Sequence, residues 1–177
     1  MERNRISRIE GLENCRKLKE LVLNEQNHKY TGFSFDENSL AAISRSLAVL
    51  DLSFCRVGSV RQLGMLENLT KLKLSDNNIS NLDEEVICML NTMQRLEELD
   101  LRRNEVAKLS VKYRDTVIVT CNSLTSLDGK EVVATQRKYI ANLVKQRTRN
   151  KRNSEVMRSA SNSNFAVNLN LNDPLAR

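Results

Sequence analysis

The sequence predicts a right-handed α/β solenoid, in which short parallel strands stack into a concave sheet and a helical cap closes the C-terminal end. The first observation is a repeated pattern, Leu-x-Leu-x-x followed by Asn, Gln or Cys, at 21–26, 50–55, 72–77 and 99–104. The second is the spacing of its last position, which recurs every 22 to 29 residues, as expected for one coil of a solenoid. The third is an amphipathic helical pattern within each of the two longest spacings.

Each predicted strand sends its two leucines inward, because successive side chains of a strand point to opposite faces. The residue that ends the pattern is expected to bind backbone groups left free where the strand turns. These Asn-type residues are Asn4, Gln26, Cys55, Asn77 and Asn104. Because Met1 enters the pattern in mid-repeat, we expect either a short isoform or fragment, or a cap formed by residues 1–15.

The two longer repeats are predicted to carry a helix on the convex side of the coil. Ser34 with Glu37, and Asn81 with Glu84, fit the capping box that begins a helix. The apolar faces of the two helices are predicted to consist of Leu40, Ile43 and Leu47, and of Val86, Leu90 and Met93. The 22-residue repeats leave room only for an extended or 3₁₀ return.

After the last repeat, a terminal unit with a polar outer face is expected, because the last coil would otherwise expose its core. The residues predicted to be buried in this unit are Tyr113, Val117, Cys121, Leu124 and Leu127. Asp128-Gly129 is predicted to turn into a closing helix. The predicted domains are the repeats at 1–111, with the first one partial, the cap at 112–147, and a basic tail at 148–177 that is expected to be disordered.

Composition and charge agree with one such domain that carries a basic tail. The 177 residues are 40% hydrophobic, which is enough for a continuous core. Residues 1–134 hold 19 Lys and Arg against 20 Asp and Glu, whereas residues 135–177 hold 9 against 2, which gives −1 and +7 and the total of +6. No apolar signal sequence or membrane-spanning stretch is present, so we expect a cytoplasmic protein with its four scattered cysteines reduced.

Catalysis finds no support in the sequence. The sole histidine, His28, lies in an irregular insertion, and the repeat geometry pairs it with no carboxylate or cysteine. The five glycines form no phosphate-binding loop, and the cysteines have no metal-binding spacing. We therefore expect no enzyme activity, no cofactor, no metal site and no small-molecule substrate.

The concave face of the predicted sheet is the candidate protein-binding site. Alternation along each strand places the residues beside the inward leucines on this face. They are Glu20, Val22, Asn24, Val49, Asp51, Ser53, Lys71, Lys73, Ser75, Glu98, Asp100 and Arg102, with Phe54, Asp76 and Arg103 at the rim. Charges of both signs beside apolar Val22, Val49 and Phe54 suit a protein partner.

The basic tail is a second candidate contact surface. Its cationic residues are Lys145, Arg147, Arg149, Lys151 and Arg152. They are suited to acidic tubulin tails, nucleic acid or an anionic membrane, and a solvated helix end is the alternative without a ligand. Nucleic acid is the less favoured partner, because Tyr139 is the one aromatic residue near this run.

The repeat pattern is the signature of leucine-rich repeats. The chain resembles their 22-residue class, which includes protein phosphatase 1 regulators, axonemal and centrosomal adaptors, and a spliceosomal RNA-binding partner protein. It is similar to the protein phosphatase 1 regulatory subunit 42 family in two segments. The first runs from Asn24-Glu25-Gln26-Asn27 through Phe35-Asp36 to Ser46-Leu47 and continues into Leu66-Glu67-Asn68-Leu69. The second runs from Lys112-Tyr113-Arg114-Asp115 through Ser123-Leu124 to Leu127-Asp128-Gly129-Lys130-Glu131.

This resemblance implies a non-catalytic regulatory or targeting subunit of protein phosphatase 1. Its expected partners are the phosphatase catalytic subunit and tubulin or motor proteins, at the cytoskeleton, the centrosome or the cilium base. Many partners of this phosphatase carry a basic residue, a Val or Ile and an aromatic residue at alternate positions, but Arg56-Val57-Gly58 lacks the aromatic one. Repeat-based regulators of this phosphatase can dock through the concave face instead. The alternatives are a cytoskeletal scaffold with no phosphatase role and an RNA-protein assembly factor.

Overall fold

The structure is a computed structural model that describes residues 3–26, 32–109 and 112–170. The strands in these ranges are β1 (Arg8–Ile9), β2 (Glu20–Val22), β3 (Ser34–Phe35), β4 (Val49–Asp51), β5 (Lys71–Lys73), β6 (Glu98–Asp100), β7 (Ser126–Leu127) and β8 (Lys130–Glu131). The helices are α1 (Glu37–Ile43), α2 (Glu84–Thr92), α3 (Glu105–Leu109), α4 (Tyr113–Thr120) and α5 (Ala134–Asn170), with a 3₁₀-helix at Arg61–Met65.

The main sheet has the strand order β2-β4-β5-β6-β7-β8. Its first five strands are parallel, and β8 pairs antiparallel with β7. Each coil contributes one strand, and the chain returns along the back through a helix or a 3₁₀ turn. The predicted α/β solenoid with a parallel sheet is confirmed.

The repeated leucines form the core of the sheet, as predicted. In register, Leu21, Leu50, Leu72 and Leu99 lie side by side on neighbouring strands. The second leucine of each pair is buried as well, at Leu23, Leu52, Leu74 and Leu101. Full burial of a leucine side chain stabilises a protein by about 1.5–3 kcal/mol, so this double row is a principal source of stability.

Asn77 joins its own coil to the preceding one through hydrogen bonds to the backbone. Its Oδ1 accepts from Cys55 N at 3.1 Å and from Val57 N at 2.9 Å. Its Nδ2 donates to three carbonyl oxygens at 2.9–3.1 Å, those of Leu52, Leu74 and Ser75. The predicted role of the Asn-type residue is thereby confirmed.

The same position works similarly in the other coils. Asn104 is fully buried, and its Oδ1 accepts from Ile79 N at 3.1 Å. Cys55 donates through Sγ to the Leu23 carbonyl at 3.1 Å. Gln26, the least typical residue of this set, accepts at Oε1 from Ile6 N at 3.0 Å. The buried polar side chains therefore form a ladder that runs from coil to coil.

The residues of both predicted apolar faces are buried, but Leu47 and Met93 lie beyond the ends of α1 and α2, and both helices begin later than predicted. The N-cap of α1 is Asp36, which accepts from Ser39 N at 2.9 Å, and that of α2 is Asp83, which accepts from Val86 N at 3.1 Å. The predicted Ser34 belongs instead to β3. A carboxylate at the cap also complements the helix dipole, which favours Asp at these positions.

Residues near the N-terminus follow the path of a coil. β1 pairs with β3 in a separate parallel sheet that the sequence analysis missed, because two-residue strands carry no recognisable alternation. Arg3 N donates to the Asn24 carbonyl at 3.3 Å. Within the described ranges, β2 has no strand partner on its outer side. The strand is short and begins with exposed Glu20, features that limit edge-to-edge pairing.

The cap buries all five residues predicted for it. Asp128-Gly129 differs from the prediction, because it forms a tight turn into β8 before α5 begins. Both residues have a left-handed backbone, with φ of 57° and 74°, and this conformation favours a two-residue hairpin. The guanidinium group of Arg137 donates to carbonyls of Ile118, Cys121 and Leu124 at the end of α4.

The basic tail departs from the predicted disorder, because α5 continues to Asn170. No Gly or Pro occurs between Gly129 and Pro174, so no residue in this stretch breaks a helix by itself. The structure divides into two compact units, Met1–Arg137 and Lys138–Arg177, and this boundary lies within α5. Residues 171–177 of the predicted tail lie outside the described residues.

Candidate functional site

The outward side chains of β2, β4, β5 and β6 form a continuous surface, here named the concave strip. Register places Glu20, Val49, Lys71 and Glu98 in one row across the four strands. Val22, Asp51, Lys73 and Asp100 form the next row. Neighbouring strands lie about 4.8 Å apart, so side chains in a row touch or nearly touch.

Two ion pairs on the concave strip connect neighbouring strands. Lys71 Nζ lies 2.7 Å from Glu98 Oε2, which joins β5 to β6. Lys73 Nζ lies 3.3 Å from Asp51 Oδ2, which joins β5 to β4. These pairs hold the charged side chains in defined positions, so a partner meets a surface that is already ordered.

Asp51 and Asp100 also bind the backbone at the ends of their strands. Asp51 Oδ1 accepts from Ser53 N, and Asp100 Oδ1 accepts from Arg102 N, each at 3.0 Å. Burial alone would raise the pKa of the Asp100 carboxyl, but the hydrogen bonds and positive charge of Arg102 outweigh it and hold this pKa below its ordinary value. Both aspartates therefore help to shape the strip through these hydrogen bonds.

The predicted site residues differ in how far they reach solvent. Glu20, Phe54 and Arg102 are exposed, while Val22, Asn24, Val49, Lys71, Lys73 and Glu98 are half-buried. Asp51, Ser53, Ser75 and Asp100 are buried. The exposed and half-buried members are thus the ones that a partner can contact without a change in the strip.

A second line of side chains, here named the loop ridge, follows the ends of the strands. Its members are Arg3, Glu25, Phe54, Asp76 and Arg103, all with a left-handed backbone of φ 55–60°. Arg103 donates to Asp76 Oδ2 at 2.6 Å and lies over the Phe54 ring, with Cζ 5.8 Å from the ring centroid. Arg3 Nε lies 2.7 Å from Glu25 Oε2. Phe54 therefore lies between two ion pairs.

Sequence reasoning missed Arg3 and Glu25 as members of this ridge. The signal was present, because every ridge residue directly precedes an Asn-type position of the repeat. The ion pairs themselves were not evident, because their partners are 22 and 27 residues apart in the chain.

The predicted basic residues lie on α5 and are exposed. Successive residues of a helix are about 100° apart, so Lys145, Arg149 and Arg152 share one side. Arg147 and Lys151 lie on the opposite side. Glu155 is the first acidic residue in α5, so every charged side chain of the helix before it is a Lys or an Arg.

Within the described part of the chain, no helix is both long and apolar enough to cross a membrane. No group of three or more potential metal-binding side chains comes together within the same ranges. His28, for which the sequence analysis predicts no catalytic role, lies outside the described residues.

Stacked parallel strands, buried leucine pairs and a ladder of Asn-type side chains define a leucine-rich-repeat protein. A family model described as "At1g61320/AtMIF1, LRR domain" matches residues 14–168. The chain belongs to this family of leucine-rich-repeat domains. Its class is that of protein-interaction modules, and no enzyme family is indicated.

Two curated relatives match part of the chain. Leucine-rich repeat-containing protein 36 of Mus musculus is 35% identical over 94 residues, which are 53% of this chain and 12% of that protein. The Homo sapiens protein of the same name gives the same identity and coverage. The matching segment thus spans only a small part of the length of these relatives.

A solved structure supports the fold independently. A chain in the crystal structure of the Drosophila melanogaster SNF/U2A′ complex matches with a TM-score of 0.60 and 18% identity, over 80% of this chain and 79% of that chain. At this low identity, the likeness shows the leucine-rich-repeat fold alone.

Proposed function

We propose that the chain is a non-catalytic adaptor whose concave strip binds the catalytic subunit of protein phosphatase 1. The observation that carries the binding site is the apolar patch of half-buried Val22 and Val49, bordered by the fixed pairs Lys71–Glu98 and Lys73–Asp51. An apolar centre with a polar border is the usual arrangement of a protein interface. Because these four charges are already paired, their side chains lose little entropy when a partner binds.

The choice of partner rests on the resemblance of 24–47 and 112–131 to phosphatase 1 regulators. The chain lacks the short docking motif of many such regulators, so the proposal assigns binding to the concave strip. The proposed location is the cytoskeleton, at the centrosome or cilium base, where the adaptor would position the phosphatase.

Replacing Val49 with Arg is expected to weaken phosphatase binding at least about 10-fold, because it places a long cation at the apolar centre of the strip. The control is Met65→Arg, the same type of change on an exposed apolar residue of the 3₁₀-helix at the back of the coil. Binding of each full-length variant to immobilised phosphatase 1 catalytic subunit is measured by biolayer interferometry, after circular dichroism has confirmed folding. No binding by the parent refutes the phosphatase proposal, and equal losses in both variants refute the site.

A second candidate is a cytoskeletal scaffold without a phosphatase role, and the cationic side of α5 favours it. A positively charged surface without acidic residues attracts negatively charged polymers, and the acidic tails of tubulin are polypeptides of this kind. Lys145 and Arg149 are one turn apart on the same side of the helix, where they can contact one such tail.

Changing Lys145 and Arg149 to Glu is expected to abolish most co-sedimentation with microtubules. The control changes Arg147 and Lys151 to Glu, which alters net charge equally on the opposite side of α5. Sedimentation at low and at physiological salt measures the effect. Equal losses in both variants would show non-specific charge attraction instead of a site.

Binding to an RNA homopolymer with a steep salt dependence, and not to microtubules, would support the assembly-factor alternative.

A further inference from the structure

Ser154 on α5 is preceded by a dense group of basic residues. Lys151 and Arg152 stand three and two positions before it, and no other serine or threonine of the sequence has Lys or Arg at both of these positions. Arg149 adds a third cation five positions before the serine. Protein kinases select substrates by charge patterns of this kind, because acidic side chains in the substrate groove pair with the basic residues. The sequence around Ser154 therefore fits a kinase that selects basic residues.

The structure leaves Ser154 and its surroundings accessible. Every residue from 144 to 155 of α5 is exposed. The Ser154 hydroxyl donates to the Lys151 carbonyl at 2.7 Å, a hydrogen bond within one turn of the same helix. Phosphorylation of Ser154 would therefore break no buried contact.

This stretch of α5 can also open to fit a kinase, which binds its substrate in an extended conformation. Most of the stability of a helix in a protein comes from packing of a buried face, and residues 144–155 have no such face. A serine hydroxyl that binds a carbonyl of the preceding turn also competes with helical hydrogen bonding. Local opening of this stretch therefore costs little.

Ser59 shows that a basic residue before a serine is not sufficient. It follows Arg56 by three positions and is exposed. Its hydroxyl donates to Glu85 Oε1 at 2.8 Å, and the neighbouring Val57 and Val60 are buried. An extended conformation at Ser59 would remove both valines from the core. The structure therefore favours the serine on α5.

The charge around Ser154 would change markedly on phosphorylation. Residues 145–152 hold five Lys or Arg and no acidic residue, which gives a net charge of +5. A phosphoserine adds about −1.5 to −2 at neutral pH, so it offsets roughly a third of this charge. Lys151 is the neighbour three positions earlier on the same side of the helix, so its ammonium group can pair with the phosphate.

We propose that Ser154 is phosphorylated by a kinase that selects basic residues, and that the phosphate weakens the binding of acidic polypeptides to α5. Ser154 Oγ forms a bond to the γ-phosphorus of ATP, the bond from that phosphorus to the β–γ bridging oxygen breaks, and ADP leaves. The hydroxyl proton passes to the catalytic base of the kinase. The modification site stands by itself, whereas its effect on binding rests on the proposed scaffold function.

The phosphate acts on binding through its electric field. Ser154 and Lys151 lie on the side of α5 opposite to Lys145 and Arg149, roughly 10 Å away across the helix. The Debye length is about 30 Å at 0.01 M ionic strength and about 8 Å at physiological ionic strength. The repulsion between the phosphate and an acidic tail is therefore felt most at low salt.

The test of the site is a reaction of the full-length chain with ATP and the catalytic subunit of cyclic-AMP-dependent protein kinase. Mass spectrometry locates the phosphate over time, and we expect Ser154 to be phosphorylated first. Lys151→Gln is expected to lower kcat/KM at least about 10-fold, because it removes a charge-assisted contact with the kinase.

The matched control is Lys138→Gln, the same change at an exposed lysine of α5 that lies far from the serine in sequence. We expect it to change kcat/KM by less than about 2-fold, because it removes only a surface charge outside the recognised segment. No incorporation of phosphate, a first phosphate at another residue such as Ser161, or equal effects of the two variants would overturn the site.

The test of the effect is co-sedimentation with microtubules at low salt. The parent and Ser154→Ala are both treated with the kinase and ATP, and each is compared with its untreated form. Treatment is expected to weaken binding of the parent about 5-fold and to leave Ser154→Ala unchanged. Equal binding of the treated and untreated parent, or the same loss in Ser154→Ala, would overturn the effect. If the untreated parent does not bind microtubules, the scaffold function and the effect are both refuted, and the site of phosphorylation is still decided by mass spectrometry.

Discussion

Replacing Asn77 with Ala is expected to lower the free energy of unfolding by about 3–5 kcal/mol, because it leaves several buried backbone groups without a hydrogen-bond partner. The amide of Asn77 binds the N–H groups of Cys55 and Val57 and three carbonyl oxygens in two coils. Each unpaired buried polar group costs about 1–3 kcal/mol, and relaxation of the loop recovers part of this loss.

Chemical denaturation followed by circular dichroism measures this change. The matched control is Asn78→Ala, at the adjacent and exposed residue, whose backbone N–H still donates to the Val57 carbonyl. We expect the control to stay within about 0.5 kcal/mol of the parent. Similar stabilities of the two variants would show that the ladder contributes little to the fold.

The four cysteines are expected to differ greatly in their reaction with a thiol reagent at pH 8. Cys88 is exposed and should react on the order of 1000-fold faster than Cys55. Burial raises the pKa of the Cys55 thiol to about 11, so very little thiolate forms, and its Sγ also donates to the Leu23 carbonyl. Cys121 is buried as well and should resemble Cys55.

Mass spectrometry of the labelled protein over time gives the rate at each cysteine. The same reaction in denaturant is the control, because unfolding should remove most of the difference between the four sites. Fast labelling of Cys55 in the native protein would contradict its buried position in the ladder of Asn-type side chains. It would indicate frequent opening of the coil that contains β4.

Features that depend on residue periodicity could be predicted from the sequence. Leucines two residues apart had to share a face of a strand, and one buried polar residue after each pair had to satisfy the turn. The faces of α1 and α2 followed from helical spacing in the same way. In the cap, Tyr113 and Val117 were predicted to be buried for this reason, and both are.

Features that depend on competition between neighbouring residues were predicted less well. Ser34 and Asp36 are both good helix caps, and only the pairing of β1 with β3 decides that Ser34 belongs to a strand. The length of α5 was underestimated, because its composition resembles that of disordered chains while containing no helix breaker. Arg103 pairs with Asp76 and lies over the Phe54 ring, and these contacts require three coils to be aligned. The repeat spacing predicts this alignment only approximately.

The two ends of the main sheet have different capacities for growth. β8 runs antiparallel to its neighbours, so the sheet terminates there and cannot guide the folding of another parallel coil. On its outer side, β2 has no strand partner among the described residues, and its direction is that of the array. A designed extension should therefore be fused before the first coil, because a coil added after β7 would require the removal of β8.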